Sequence, residues 1–176
     1  MRRTLIFESP WGWMGVAETA KGIARIVLPK TSKMMVASEL QTDRRGTRKE
    51  AASSRLRTAR KQLNEYLAGT RTAFNLPLDL TRGTDFQRRV WRMLQTVPYG
   101  ELRSYQGLAG RVGGKQYARA VGNAVGTNPL PIVIPCHRVV ARNASLGGFS
   151  GGLPTKRRLL ALEGSLSQLC RTERDA

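Results

Sequence analysis

The chain has few of the residues that build metal centres and disulfide frameworks. Its 176 residues include two cysteines and one histidine. A disulfide-stapled fold needs more cysteines, and a structural zinc site needs four Cys or His ligands at short spacings, which this sequence lacks. The apolar runs are too short to span a membrane, and the start, Met1 to Trp13, is too broken by polar residues for a signal peptide. We therefore expect a soluble, cytoplasmic, reduced protein with no metal and no membrane contact.

Acidic residues are scarce as well. Twelve Asp and Glu stand against thirty Lys and Arg, which gives a formal net charge of +18. Hydrophobic residues make up 40% of the chain, enough for a packed core, so the sequence is not that of a disordered basic tail. Both halves of the chain share the positive excess. A charge of this size indicates a polyanionic partner.

The one histidine directly follows a cysteine, at Cys136 and His137. Pro131 and Pro135 precede the pair. Because proline continues neither a helix interior nor a sheet ladder, the segment is predicted to be a rigid, non-regular turn. A thiolate is the nucleophilic form of cysteine, and a neighbouring base increases its population. Cys136 is therefore a candidate nucleophile, and the alternative is a buried structural cysteine beside a surface histidine.

The pattern of the first 80 residues predicts a small α/β domain. Short apolar runs between turn residues predict strands over 4–8, 12–18 and 22–28. Residues 29–47 favour a loop, with or without a short helix, and helical spacing predicts a helix over 49–67. Pro77 interrupts the alternating stretch that follows, which we interpret as an edge strand or a linker.

From residue 82 the pattern becomes helical. Thr84 and Gln87 are spaced as a capping box in front of an apolar stripe that ends at Val97. Ser104 is expected to cap a second, short helix that ends at Val112.

A third helix, rich in small residues, is predicted over 116–125 after a pair of glycines. Two short helices around such a turn are typical of a helix-turn-helix, although an ordinary helical hairpin has the same pattern. Thr155 is expected to cap a last helix that runs to Glu163. The residues beyond it are expected to form a frayed tail in which Cys170 is incidental.

Seven ordered blocks of this sequence resemble the O6-alkylguanine-DNA alkyltransferase family in order and spacing. They cover residues 84 to 164 densely, and the earlier residues match more loosely. The resemblance implies an N-terminal ribonuclease-H-like α/β domain over 1–80, a mostly helical, winged-helix-like domain over 81–165 and a tail over 166–176. The blocks are Phe86–Trp91, Pro98–Glu101, Ser104–Tyr105, Ala118–Gly122, Asn128–Pro129, Ile134–Val139 and Leu159–Gly164.

The resemblance also implies an activity, direct-reversal DNA repair in a single turnover. An alkyl group on O6 of guanine, or on O4 of thymine, would move irreversibly from DNA to Cys136 with no cofactor. His137 would act through a water as the base on the thiol, and Glu163 would orient His137. Tyr105 would donate a proton to the leaving base. Because an alkyl carbon on oxygen is a poor electrophile, we expect the attacking sulfur to be a partly ionised thiolate.

The remaining site residues follow from the same resemblance. Arg119 would enter the base stack where the damaged base was, which offsets part of the cost of extrusion. Double-stranded DNA is the expected partner of a monomeric protein, and cooperative binding is left open. Further expected DNA contacts are Ser104, Ala118, Ala120 and Gly122. Asn128 would tie the helix-turn-helix to the cysteine loop, and Val139, Phe149 and Ser150 would meet the extruded base.

Some positions depart from the family pattern, and two other classes of protein remain possible. Phe149 stands where many members carry tyrosine, Gly126 where some carry arginine, and the N-terminal zinc ligands of some members are absent. The first alternative is a helix-turn-helix DNA binder without catalysis, either a regulator or a lesion sensor, although such sensors replace the cysteine that this chain keeps at Cys136. The second is a cysteine hydrolase, which is disfavoured because the side chains of adjacent Cys and His residues are poorly oriented for a direct hydrogen bond.

Overall fold

The structure is a computed structural model that describes residues 3–40, 52–141 and 145–172. It divides into two compact units, Met1–Leu80 and Thr81–Ala176. In the described part of the chain, no helix is both long and apolar enough to cross a membrane. Every site residue expected from the sequence lies in the second unit.

A three-stranded antiparallel sheet forms the centre of the first unit. Its strands are β1 (Arg3–Ser9), β2 (Gly12–Glu18) and β3 (Ile23–Lys30), in that order across the sheet. The hydroxyl of Ser9 donates to the carbonyl of Gly12 at 2.7 Å across the first turn. Gly12 has a φ of +117°, a conformation that disfavours side chains. The three strands lie where the sequence predicts them; the bounds of β2 agree, and the ends of β1 and β3 are shifted by one or two residues.

Two helices, α1 (Lys33–Leu40) and α2 (Ser54–Leu67), pack on this sheet. The α1 helix is the short helix that the sequence allows within the loop predicted over 29–47, and residues 41–51 are outside the described ranges. The α2 helix begins later than predicted because the hydroxyl of Ser53 caps it, accepting from the backbone N–H of Leu56 at 3.1 Å.

The stretch with Pro77 is held to the sheet at a single point. The carbonyl of Pro77 accepts from the N–H of Ile23 at 2.8 Å, and the N–H of Asp79 donates to the carbonyl of Ile23 at 2.8 Å. These bonds make an isolated parallel bridge between Ile23 and Leu78 instead of a strand. Proline offers no N–H, which limits further pairing.

The second unit is mostly helical. The predicted capping box is present at the start of its first helix, where Thr84 and Gln87 exchange side-chain and backbone hydrogen bonds. The indole N–H of Trp91 donates to the carbonyl of Ala124 at 2.7 Å and joins the first and third helices of the unit. The elements are α3 (Asp85–Gln95), β4 (Arg103–Ser104), α4 (Tyr105–Val112), α5 (Ala118–Gly126), β5 (Val139–Val140), α6 (Leu153–Leu162) and α7 (Leu166–Thr172), and β4 pairs with β5 in parallel.

The predicted pair of short helices is formed by α4 and α5, which pack against each other. The hydroxyl of Ser104 caps α4 by accepting from the N–H of Gly107 at 3.0 Å, as expected. After the two glycines the chain makes a 3₁₀ turn over Lys115–Tyr117, so the third predicted helix begins two residues later than expected.

Two expectations for the C-terminal part are wrong. The α6 helix is capped at Gly152 and has a proline in its first turn, so Thr155 lies inside the helix. Residues 166–172 form α7 and not a frayed tail. The reason is burial, since Leu169 packs with Leu160 and other buried apolar residues of the same cluster. Residues 173–176 lie outside the described ranges.

Candidate active site

A hydrogen-bonded loop after α5 leads the chain to Cys136. The side-chain amide of Asn128 donates to the carbonyl of Ile134 at 2.8 Å, and its oxygen accepts from the N–H of Leu130 at 3.0 Å. Ile132, between them, has a φ of +76°, which is strained for a β-branched residue. The loop ends in a 3₁₀ turn over Cys136–Arg138. This arrangement fixes the backbone that carries the thiol.

Cys136 is buried, with 2% of its surface exposed. Burial raises the pKa of its thiol to about 11, although a hydrogen bond from Asn128 and the positive charge of Lys156 act in the opposite direction. The site therefore holds a neutral thiol at neutral pH. Desolvation of the sulfur outweighs the groups that favour its charge.

His137 and Glu163 form a buried pair, as the sequence led us to expect. Nε2 of His137 lies 2.9 Å from Oε1 of Glu163, which occupies the C-cap of α6. A carboxylate accepts, so Nε2 carries the hydrogen and Nδ1 is the basic nitrogen of the neutral ring. Burial lowers the pKa of His137 below its usual 6.5, and the effect of Glu163 does not offset it. At rest the imidazole is neutral.

Arg138 was not identified from the sequence, yet it binds Glu163 more extensively than His137 does. Its Nε and Nη2 donate to the two carboxylate oxygens at 2.9 and 2.8 Å, and its Nη1 donates to the carbonyl of Val97 at 2.5 Å. The N–H of Gly100 also donates to Glu163, at 3.2 Å. Arginine is usually exposed, so nothing in the sequence pattern indicated this burial. The guanidinium thus gives the carboxylate of Glu163 a positively charged, two-point partner beside His137.

Tyr105, at the start of α4, faces the glycine-rich loop. Its hydroxyl lies 3.3 Å from the carbonyl of Gly148, to which it donates. A side chain on Gly147 would approach the ring at 3.0 Å, so the loop packs closely on the phenol. Burial, followed by the charge of Cys136, raises the pKa of Tyr105 above its usual 10. The phenol therefore keeps its proton as a donor.

Lys156 is the second residue that the sequence analysis missed. It is fully buried on α6, and its ammonium donates to the carbonyls of Val139, Leu146 and Gly148. Burial lowers its pKa to about 8. A signal was present, because helical spacing places Lys156 on the same inward face as Leu160.

The residues expected to contact DNA are only partly brought together. Arg119 and Ala120 are exposed on α5, and Ala118 is half-buried beside them. Gly122 instead faces the ring of Tyr105, and the hydroxyl of Ser104 is used as the cap of α4.

The residues expected to meet the base are placed around the same loop. Val139 is buried with its carbonyl held by Lys156, whereas Phe149 is half-buried and Ser150 is exposed. Among the described residues, no group of three His, Cys, Asp or Glu side chains is placed to hold a metal ion.

Comparisons with known proteins identify the family to which the chain is similar. Two models of 6-O-methylguanine DNA methyltransferase domains match the chain. The model of the ribonuclease-like domain matches residues 1–80, and the model of the DNA binding domain matches residues 85–165. The methylated-DNA–protein-cysteine methyltransferase of Mycolicibacterium paratuberculosis is 57% identical over 102 residues, which are 58% of this chain and 61% of that protein. The constitutive enzyme of that name from Bacillus subtilis is 41% identical over 144 residues, 82% of this chain and 84% of that protein.

A solved structure extends the similarity to most of the chain. The crystal structure of Mycobacterium tuberculosis OGT in complex with DNA has a TM-score of 0.73 at 36% identity and covers 93% of each chain. The match to the M. paratuberculosis protein, by contrast, spans about three fifths of that relative's length. The expected family and the expected succession of an α/β domain and a helical domain are confirmed. The chain belongs to the methylated-DNA–protein-cysteine methyltransferase family.

Proposed function

We propose that this protein removes an alkyl group from O6 of guanine in DNA and keeps it on Cys136. The observation that carries the proposal is the buried cysteine beside the His137–Glu163 pair in a chain of this family. O4-alkylthymine is a second substrate, because its alkyl carbon is bonded to a comparable exocyclic oxygen. We expect the protein to act as a monomer in the cytoplasm.

The transfer is a single displacement at carbon. Sγ of Cys136 forms a bond to the alkyl carbon as the bond from that carbon to O6 breaks. The thiol proton passes through a water to Nδ1 of His137, and the phenol of Tyr105 gives a proton to the departing base. Since thiol and imidazole are both neutral at rest, the proton leaves sulfur only as the attack proceeds. The thioether product has no route back, so each molecule reacts once.

The helix pair α4–α5 is the proposed DNA-binding element. The M. tuberculosis relative was crystallised with DNA, and the family model for DNA binding covers this part of the chain. Arg119 is exposed on α5, beside the small side chains of Ala118 and Ala120 that permit close approach to a groove. We expect duplex DNA to lie on this face, with Arg119 filling the place of the extruded base.

The extruded base is proposed to enter beside the glycine-rich loop. Val139 and Ser150 would meet it through backbone groups, and Phe149 would provide a stacking surface. The carbonyl of Val139 keeps a second lone pair after binding Lys156. Asn128 holds the loop that carries the thiol, so its side chain sets the position of the attacking sulfur.

Intact mass spectrometry tests the proposal. The protein is incubated with duplex DNA containing O6-methylguanine, and its mass should rise by one CH₂, with the modified peptide containing Cys136. Cys136→Ser should show no gain and still bind the DNA, whereas Cys170→Ser should react as the parent does. An unchanged parent mass, or a label on Cys170, would refute the proposal.

A further inference from the structure

The outward side of α2, in the first unit, carries three positive charges. Arg57, Arg60 and Lys61 are exposed there, whereas the buried residues of the helix face the sheet. Since an α-helix turns by about 100° per residue, the three side chains lie within an arc of about 100° on its surface. We call these three residues the α2 basic face.

The carboxylates nearest to α2 do not neutralise this face. Glu18 pairs with Arg55, whose Nη1 lies 3.5 Å from the carboxylate. Glu65 accepts from Nε of Arg71 at 2.7 Å, and its other oxygen lies 3.8 Å from Nζ of Lys61. That last contact is long, and 76% of the lysine side chain is exposed, so it contributes little. The α2 basic face therefore keeps a positive charge.

The same charges are unfavourable for the helix. Arg57 stands three residues before Arg60 and four before Lys61, the two spacings at which like charges on a helix repel each other. The first turn also holds Arg55 and Arg57 and no acidic residue, although the positive end of the helix dipole favours carboxylates there. Uncharged polar residues would be solvated equally well, so the stability of α2 does not explain the three cations.

A polyanion explains them. Arginine and lysine bind nucleic-acid phosphates, and each phosphate that they neutralise releases condensed counterions. The chain belongs to a family of methyltransferases that act on DNA, which makes DNA the polyanion that fits. The model of the DNA binding domain covers residues 85–165, so α2 lies outside the part of the chain to which DNA binding is attributed.

We propose that the α2 basic face is a second contact surface for DNA, which binds the phosphate backbone through Arg57, Arg60 and Lys61. Such a contact carries no sequence or lesion specificity, because it is made to phosphates and not to base edges. The face belongs to the first unit and Cys136 to the second, so we assign it to affinity and not to alkyl transfer. The inference goes beyond the proposed function and rests only on DNA as the partner.

The size of the effect follows from counterion release. For duplex DNA, the logarithm of the association constant falls with the logarithm of the salt concentration, with a slope of about −0.9 per neutralised phosphate. Loss of three phosphate contacts should therefore make the slope shallower by about 2.7. Between about 50 and 200 mM salt, the parent should lose about 40-fold more affinity than a variant without the face.

The test is the affinity of the full chain for an undamaged DNA duplex, measured by fluorescence anisotropy from about 50 to 200 mM salt. The triple variant Arg57→Gln/Arg60→Gln/Lys61→Gln should show the shallower slope, and each single substitution should reduce the slope by about 0.9. The variant Arg57→Lys/Arg60→Lys keeps all three charges and should keep the slope of the parent.

The first unit also offers a matched control. The variant Arg3→Gln/Lys21→Gln/Lys33→Gln removes three exposed cations that lie on β1, before β3 and on α1, so it lowers the net charge by the same amount. Its slope should equal that of the parent. Equal reductions in the control and in the α2 triple variant would show an effect of net charge alone and would overturn the proposal, and so would an α2 triple variant with the slope of the parent.

Thermal unfolding followed by circular dichroism checks the other premise. The α2 triple variant should have a Tm at or above that of the parent, because repulsion within the helix is removed. A lower Tm would show that the three cations serve the fold, and it would contradict the proposal.

Transfer from O6-methylguanine at saturating DNA separates this inference from the proposed function. The α2 triple variant should transfer at the rate of the parent, and slower transfer would contradict the assignment of the face to binding alone. A parent that shows the predicted salt slopes yet takes no methyl group from DNA would contradict the proposed function and leave the α2 basic face supported.

Discussion

Replacing Arg138 with methionine tests whether the buried carboxylate of Glu163 depends on its arginine. The substitution removes two hydrogen bonds to Glu163, at 2.9 and 2.8 Å, and one to the carbonyl of Val97. Of the hydrogen-bond partners named above, the buried carboxylate would then keep His137 and the N–H of Gly100. Breaking a buried ion pair from one side costs about 3–5 kcal/mol, because the other charge is left uncompensated.

The chain offers a matched control in the exposed pair of Arg103 and Glu101. Their atoms lie 2.7 Å apart, but 38% and 48% of the two side chains is exposed. Exposed pairs contribute at most about 1 kcal/mol, so Arg103→Met should lower the free energy of unfolding only slightly. Both variants remove one positive charge from the second unit, so they differ in burial and not in net charge.

Native-state hydrogen exchange of the α6 peptides measures the free energy of unfolding in the second unit. Arg138→Met should lose about 3–5 kcal/mol relative to the parent, and adding Glu163→Gln should recover part of that loss, because no buried charge then remains unpaired. Equal losses in Arg138→Met and Arg103→Met would refute the reasoning. So would a double variant less stable than the sum of the two single changes.

Three further predictions concern pH, packing and DNA. Burial lowers the pKa of His137, so below about pH 6.5 the unfolded chain binds a proton that the folded chain does not. The free energy of unfolding, measured by urea titration, should therefore fall as the pH drops below about 6.5. Because His137 is the one histidine of the sequence, His137→Gln should abolish that slope between about pH 5 and 6.5. A side chain on Gly83 would collide with the ring of the buried Trp91, so Gly83→Ala should lower the free energy of unfolding by about 1–3 kcal/mol in the same assay. The control is Gly110→Ala, which should not lower it, because a Cβ at Gly110 would meet nothing within 4 Å. Arg119→Ala should slow alkyl transfer from O6-methylguanine in duplex DNA but not from free O6-benzylguanine. Only the base in the duplex has to be extruded, at a cost of a few kcal/mol. Equal slowing with both substrates would contradict the role of Arg119.

Local patterns predicted much of the fold. The capping box at Thr84, the cap at Ser104 and the three N-terminal strands are present where the sequence indicates them, because each depends on neighbouring residues. The predictions are wrong where contacts between residues distant in the sequence determine the structure. The α7 helix forms because Leu169 is buried against residues far from it in the chain, which local composition does not reveal.

The candidate site shows the same division. Cys136, His137 and Glu163 were found through ordered motifs, and the structure places the last two in contact. Arg138 and Lys156 were missed because charged residues are rarely buried, so their charge argued for exposure. The direction of the pKa shift of Cys136 could not be predicted from the sequence for a related reason. Desolvation depends on everything packed around the sulfur, and neighbours in sequence do not report it.

The stoichiometry of transfer tests the central claim most directly. The protein is mixed with an excess of duplex DNA containing O6-methylguanine, and the restored guanine is counted per molecule of protein until the reaction stops. The account predicts a plateau at one guanine per molecule, with the protein methylated on Cys136 and unable to react again. Restoration that continues beyond one equivalent would show that the group leaves the sulfur, as in a hydrolase, and would contradict the account.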